Sequence, residues 1–134
     1  MKNTILFVLF CLFVFSFSGC NSDTVRIKGE VLFTDGAPLK KGSVVFTSNT
    51  FSSSSNLNAS GNYNIDLPPG SYKVHIALAS ELDESFVPPA HDPDAVRYIE
   101  LINPKYASLE KTPLSCEIVK SGKQNFTVEL PDTQ

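Results

Sequence analysis

The sequence predicts an all-β fold, a two-layer Greek-key β-sandwich of about seven strands. Three observations predict it. From Thr24 onward, apolar and polar residues alternate with a period of two. The alternating runs are short and are separated by Gly- and Pro-containing turn signals, and none of them repeats its apolar positions at helical spacing.

The first strand starts at Thr24 and runs to Phe33. Val25, Ile27, Val31 and Phe33 alternate with Arg26, Lys28, Glu30 and Leu32, so one face is apolar and the other polar. Gly29 falls on the inward face, where a missing side chain predicts a bulge or the close crossing of another strand. Asp35-Gly36-Ala37-Pro38 reads as a turn. Gly42 then opens a second strand, Ser43 to Thr47, with Val44 and Phe46 on one face. From Ser48 to Ser60, 10 of 13 residues are Ser, Thr or Asn, a composition that fits an exposed edge strand or a mobile loop anchored by Phe51 and Leu57.

Ala59-Ser60-Gly61-Asn62 is a hairpin turn into a strand that points Tyr63, Ile65 and Leu67 inward. Pro68-Pro69-Gly70 stops that strand, and Gly70 is expected to hold a positive φ. Ser71 to Ser80 has the cleanest alternation in the chain, with Tyr72, Val74, Ile76 and Leu78 inward and Lys73 and His75 outward. Two closing strands, Leu114 to Val119 and Asn125 to Leu130, are joined by Ser121-Gly122-Lys123, with Phe126, Val128 and Leu130 as the last inward face.

One segment breaks the rhythm. Residues 81–112 are far longer than the usual connection of about 4–6 residues, and they carry Pro88, Pro89, Pro93 and Pro104. Phe86, Val87, Tyr98, Ile99, Leu101, Ile102 and Tyr106 are enough apolar surface to dock this insert as a flap, with a short strand from Tyr98 to Ile102. Within it Asp83, Glu84, His91, Asp92 and Asp94, with Tyr98, form the candidate binding loop: the charged groups are expected to face solvent and meet a partner. The competing reading is a passive cover over one sheet. Hard oxygen ligands on a loop suit Ca²⁺, but no spacing here matches a calcium loop, and zinc would need more His or Cys than the His75, His91 and Cys116 of residues 24–134, so no metal or other cofactor is expected.

The first 19 residues are of another kind. They hold five of the ten Phe, and Lys2 precedes an apolar run from Ile5 to Phe15, about the length of a signal-peptide core and shorter than the roughly 20 residues of a spanning helix. Phe17-Ser18-Gly19-Cys20 resembles a bacterial lipobox, with Phe17 where that motif usually has Leu. The resemblance implies cleavage between Gly19 and Cys20 and lipidation of the Cys20 thiol, which gives a signal peptide at 1–19, a tether at 20–23 and one domain at 24–134. Asn21 follows the cysteine, and by resemblance to proteobacterial sorting rules this favours the outer membrane over the inner. Three acyl chains on one residue exceed the two that suffice for stable anchoring. Cys11 leaves with the signal and Cys20 carries lipid, so Cys116 has no thiol to pair with and reads as a small hydrophobe on a strand face.

A second resemblance covers most of residues 25–130. Val31 to Phe46 contains Gly36-Ala37-Pro38-Leu39 and Gly42-Ser43-Val44-Val45-Phe46; Ser60-Gly61-Asn62-Tyr63 and Leu67-Pro68-Pro69-Gly70-Ser71-Tyr72-Lys73-Val74 follow. Near the end stand Asn103-Pro104-Lys105-Tyr106-Ala107 and Thr112-Pro113-Leu114. These resemble the carboxypeptidase-regulatory-like, or transthyretin-like, modules of small bacterial lipoproteins. The resemblance implies a transthyretin-like sandwich; being turn chemistry, it implies no substrate.

Function classes narrow accordingly. The formal net charge of −3 lacks the clustered basic excess of a nucleic-acid binder. Catalysis has little to work with. His75 and His91 are the only imidazoles, no Ser sits in a nucleophile elbow, and Arg26 and Arg97 are the only arginines. The related transthyretin-like hydrolases carry several His and Arg and a Tyr-Arg-Gly-Ser terminus, whereas this chain ends Leu130-Pro131-Asp132-Thr133-Gln134. The expectation is a non-catalytic, lipid-anchored envelope protein that binds, adheres or supports at the membrane surface, with an envelope protein or a glycan as partner. A carbohydrate- or peptide-binding module is the alternative, and a hydrolase is disfavoured.

Overall fold

A computed structural model describes residues 23–132, in which the alternating runs become strands. In chain order these are β1 (Val25–Phe33), β2 (Ser43–Thr47), β3 (Ser52–Asn56), β4 (Asn62–Leu67), β5 (Gly70–Ala77), β6 (Ser80–Leu82), β7 (Tyr98–Glu100), β8 (Ser115–Ile118), β9 (Gly122–Lys123) and β10 (Phe126–Val128). No α-helix occurs among the described residues; one 3-10 turn spans Pro104–Ala107. The sandwich is all-β as expected, with ten strands because the insert and the last segment add short ones.

One sheet has the order β3-β2-β5-β8, antiparallel throughout. In the other, β1 is central, with β4 antiparallel on one side and β9 and β10 parallel on the other. The inward faces meet in an aromatic cluster. Phe46 lies 5.8 Å from Tyr63, 6.2 Å from Tyr72 and 6.0 Å from Phe126, so rings from both sheets surround one side chain. Ile27, Val31, Val44, Leu67, Val74, Ile76 and Val128 fill the space around them; each such burial contributes about 1.5–3 kcal/mol. At one edge Ser55 Oγ donates to the Asn64 carbonyl at 2.9 Å and so stitches β3 to β4 across the two sheets. Gly70 has φ 155°, and the Tyr72 hydroxyl donates to the Pro68 carbonyl at 2.6 Å, which locks the Pro-Pro-Gly turn as the sequence anticipates.

Gly29 is where another strand crosses. A Cβ there would lie 1.8 Å from the Gln124 carbonyl oxygen and 2.7 Å from the Tyr63 hydroxyl. β9 and β10 keep the same register against β1 and are interrupted only at Gln124 and Asn125. At this break the Gln124 N–H donates to the Lys28 carbonyl at 2.9 Å, and the Gln124 carbonyl accepts from the Tyr63 hydroxyl.

The sequence reading is corrected at three points. Ser121-Gly122-Lys123 does not close a hairpin: β8 belongs to the sheet of β5 and β10 to that of β1, so the chain changes sheet between them. Leu130 lies past the end of β10 and is exposed. Leu78 does not continue the inward row. Its φ of 56° turns the chain over, so Leu78 is 78% exposed and Ala79 is buried instead. A leucine in this left-handed region costs roughly 1–2 kcal/mol, with no packing here to offset it. Leu78→Asn, which tolerates that conformation, is expected to raise stability by about 0.5–1 kcal/mol. A urea midpoint that falls instead would show that Leu78 is held by contacts its exposure does not reveal.

The insert closes the sandwich instead of lying over one sheet. β8 pairs only with Gly70–Lys73, the first half of β5. Beyond it the Val74 N–H donates to the Leu114 carbonyl at 3.0 Å, and Thr112 Oγ1 donates to the Val74 carbonyl at 2.6 Å. On the facing sheet the Asn103 N–H donates to the Glu129 carbonyl at 2.9 Å, just past β10. Residues 101–112 are therefore tied to both sheets and fill the seam between them, with Ile102 and Tyr106 in the core. The residues before Leu101 have a different role.

Candidate functional site

β6 and β7 form a two-stranded antiparallel ribbon that is separate from both sheets. It is prolonged by the Asp83 N–H donating to the Arg97 carbonyl at 2.8 Å and the Leu101 N–H to the Ala79 carbonyl at 2.9 Å. The loop between the two strands is closed at its base by Asp83. One carboxylate oxygen accepts from the Ser85 hydroxyl at 2.6 Å and the Ser85 N–H at 3.0 Å; the other accepts from Arg97 Nε at 2.7 Å and from Arg97 Nη2. The Arg97 guanidinium also lies 5.0 Å from the centre of the Phe86 ring, within cation–π range. Bonds from the Ser85 hydroxyl and from Arg97 hold the Asp83 carboxyl below the usual carboxylate range.

Asp83 is thus buried and internally paired, and does not face solvent as expected. Glu84, His91, Asp92 and Asp94 are exposed, on the turns of the loop. Tyr98, expected to help pin the insert, is 63% exposed and stands directly across the ribbon from Leu82, so the two share a face. Val87, Val96 and Ile99 are exposed as well. Glu81 and Glu100 add to the acidic rim. Arg97 is the only cation between residues 81 and 100, and Asp83 already neutralises it; the remaining five carboxylates have no ion-pair partner among the described residues. The result is a ribbon with Leu82 and Tyr98 exposed on one face, Ile99 on the other and Val87 and Val96 on the loop, bordered by uncompensated negative charge.

The ribbon stands at a definite end of the sandwich. Thr24, the Thr47–Phe51 turn, Pro68 to Gly70, Leu109 and Glu110 line one open hollow at the end where β1 begins. β5 leaves that end at Gly70 and runs eight residues, roughly 25 Å, before the ribbon departs beyond Ala77. The ribbon and the point where the chain enters the domain therefore lie at opposite ends.

Other groups offer little chemistry. Cys116 is half-buried on β8, and burial pushes its thiol up to about 11, so it stays protonated and a poor nucleophile. His75 is half-buried on β5 with Nδ1 lacking a hydrogen-bond partner, and burial lowers its pKa. Among the described residues no three His, Cys, Asp or Glu side chains gather to hold a metal ion. Gly19 and Cys20 lie outside the described residues. Sequence reasoning missed the Asp83 clasp, although Asp83-x-Ser85 is the pattern of an Asx turn and was a readable signal. The partner Arg97, 14 residues further on, gave none.

No protein-family model and no curated protein matches the sequence. Solved structures do match in fold. The major pilin subunit BcpA of Bacillus cereus aligns with 80% of this chain and 30% of its own at 15% identity, with a TM-score of 0.50. A DUF3823 family protein from Bacteroides ovatus aligns over 79% of this chain and 44% of its own at 14% identity and TM-score 0.46. Another from Parabacteroides merdae aligns over 81% and 46% at 10% identity and TM-score 0.47. The chain spans less than half the length of each of these proteins. The pilin alignment places the chain among β-rich domains, in agreement with the two sheets; at this identity it speaks to fold alone.

Proposed function

We propose that this chain is a non-catalytic envelope protein, lipid-anchored through Cys20, whose sandwich serves as a binding, adhesion or structural module with the Ser80–Glu100 ribbon as its contact surface. The observation that carries the reading is the ribbon's place at the end opposite Thr24. Thr24 is four steps along the chain from Cys20, a span of at most about 14 Å. A lipid on Cys20 would hold that end against the bilayer, outer membrane by the sequence reading, and direct the ribbon away from it. Several large apolar side chains exposed on one short ribbon, among charged groups, have the composition of a protein–protein contact. A protonated Cys116, a poor nucleophile, supports the non-catalytic part. That a pilin subunit contains a domain of this fold is compatible with a structural use and does not specify a partner. The turn motifs shared with carboxypeptidase-regulatory-like modules fit the same class.

Anchoring is tested at Cys20. Cys20→Ser is expected to abolish incorporation of labelled palmitate and to leave the precursor uncleaved by the lipoprotein peptidase. Mature, labelled protein from this variant would overturn the anchor.

A further inference from the structure

The outer face of the β1 sheet carries a second feature, independent of the ribbon. Register places Asn64, Lys28 and Lys123 side by side across β4, β1 and β9, and Asn62 beside Glu30 in the next outward row, where the Asn125 side chain accepts from the Glu30 N–H at 3.2 Å. With Asn56 and Asn58 from the end of β3 and the turn after it, these residues line a hollow of about 540 Å³, within the roughly 300–1,000 Å³ typical of ligand sites.

The hollow is rich in donors and poor in acceptors. Lys28 and Lys123 stand directly abreast, an arrangement that is destabilising for like charges, and neither has an ion-pair partner among the described residues. The amide oxygens of Asn56, Asn58 and Asn125 are already used, accepting from the Ser43 hydroxyl, from the Ser60 and Asn62 N–H groups, and from the Glu30 N–H. Their NH₂ groups remain free to donate. The side chains of Asn62 and Asn64 make no hydrogen bond among the described residues. Only Glu30 contributes an anion.

We propose that this face binds an acidic sugar, its carboxylate on the Lys28–Lys123 pair and its hydroxyl and ring oxygens on the asparagine amides. A ligand longer than a simple anion is needed to reach both rows. Alternate residues on a strand lie about 6.6–6.8 Å apart, so one phosphate engages one row, whereas a sugar acid spans both. Glu30 repels the carboxylate from the second row and so orients the ligand.

The test is calorimetric titration of the full chain in detergent with a galacturonate trisaccharide, its fully methyl-esterified form and inorganic phosphate. The acid is expected to bind, with the ester and phosphate at least tenfold weaker. Lys28→Gln with Lys123→Gln is expected to lose at least tenfold in affinity for the acid with a melting temperature no lower than the wild type's, since the like-charge pair is relieved, and Glu30→Gln to bind it more tightly. The proposal is overturned if the acid does not bind at millimolar concentration, if ester or phosphate binds equally well, or if the double lysine variant retains wild-type affinity.

Discussion

Gly29→Ala is expected to destabilise the domain by about 4 kcal/mol. The added methyl would lie 1.8 Å from a backbone carbonyl oxygen, and that oxygen belongs to the break between β9 and β10, not to a side chain that can swing away. Making room means moving Gln124. That strains its N–H bond to the Lys28 carbonyl and strips the Tyr63 hydroxyl, in a residue 5% exposed, of its acceptor. Overpacking costs about 1–3 kcal/mol and a buried unsatisfied group a further 1–3. Tyr63→Phe removes the second clash and the hydroxyl together, so Gly29→Ala should cost less in that background than alone. Urea unfolding of the two single variants and the double variant measures the coupling. A cost below about 1 kcal/mol for Gly29→Ala would mean that the crossing at Gln124 is not as described.

Ile102→Ala is expected to cost about 3 kcal/mol, and Tyr98→Ala less than about 0.5. The two residues lie four positions apart in the same insert, and the sequence reads both as apolar anchors, Tyr98 also as part of the binding loop. Ile102 is fully buried in the seam between the sheets, where truncation leaves a cavity that the tied segment cannot collapse. Tyr98 projects from the ribbon into solvent. Equal effects in thermal or urea unfolding would refute the division of the insert into a plug and a ribbon.

That division marks the limit of what the sequence discloses. Strand period and turn chemistry are local, so β1, β2, β4 and the start of β5 are legible with their inward faces, whereas the Ser-rich segment reads equally as an edge strand or a loop. Gly29 announces a crossing because a glycine on an inward face has few other uses. Non-local pairings leave no such trace. The parallel docking of β10 on β1 joins residues some 95 positions apart, and nothing near Phe126 distinguishes it from a hairpin strand. Leu78 misleads because an apolar residue in phase is indistinguishable from a core residue until its φ is known. Asp83 misleads in the opposite sense: an acid in a Pro-rich loop reads as solvated, and only the fold brings Arg97 to it. The paired lysines on the outer face become visible only once the register is known.

The proposed role of the ribbon as the surface that meets a partner rests on its exposed acidic rim. The measurement that addresses it most directly is the affinity of the full-length protein for a partner identified by cross-linking in the envelope, compared with a variant carrying Glu84→Gln, Asp92→Asn and Asp94→Asn. These three side chains are exposed, and Asp83 is left in place, so the clasp and the plug are untouched and the melting temperature should not change. At least a tenfold loss of affinity is expected, together with a weaker salt dependence of what binding remains. A variant that binds the same partner as tightly as the wild type, with the same salt dependence, would contradict it.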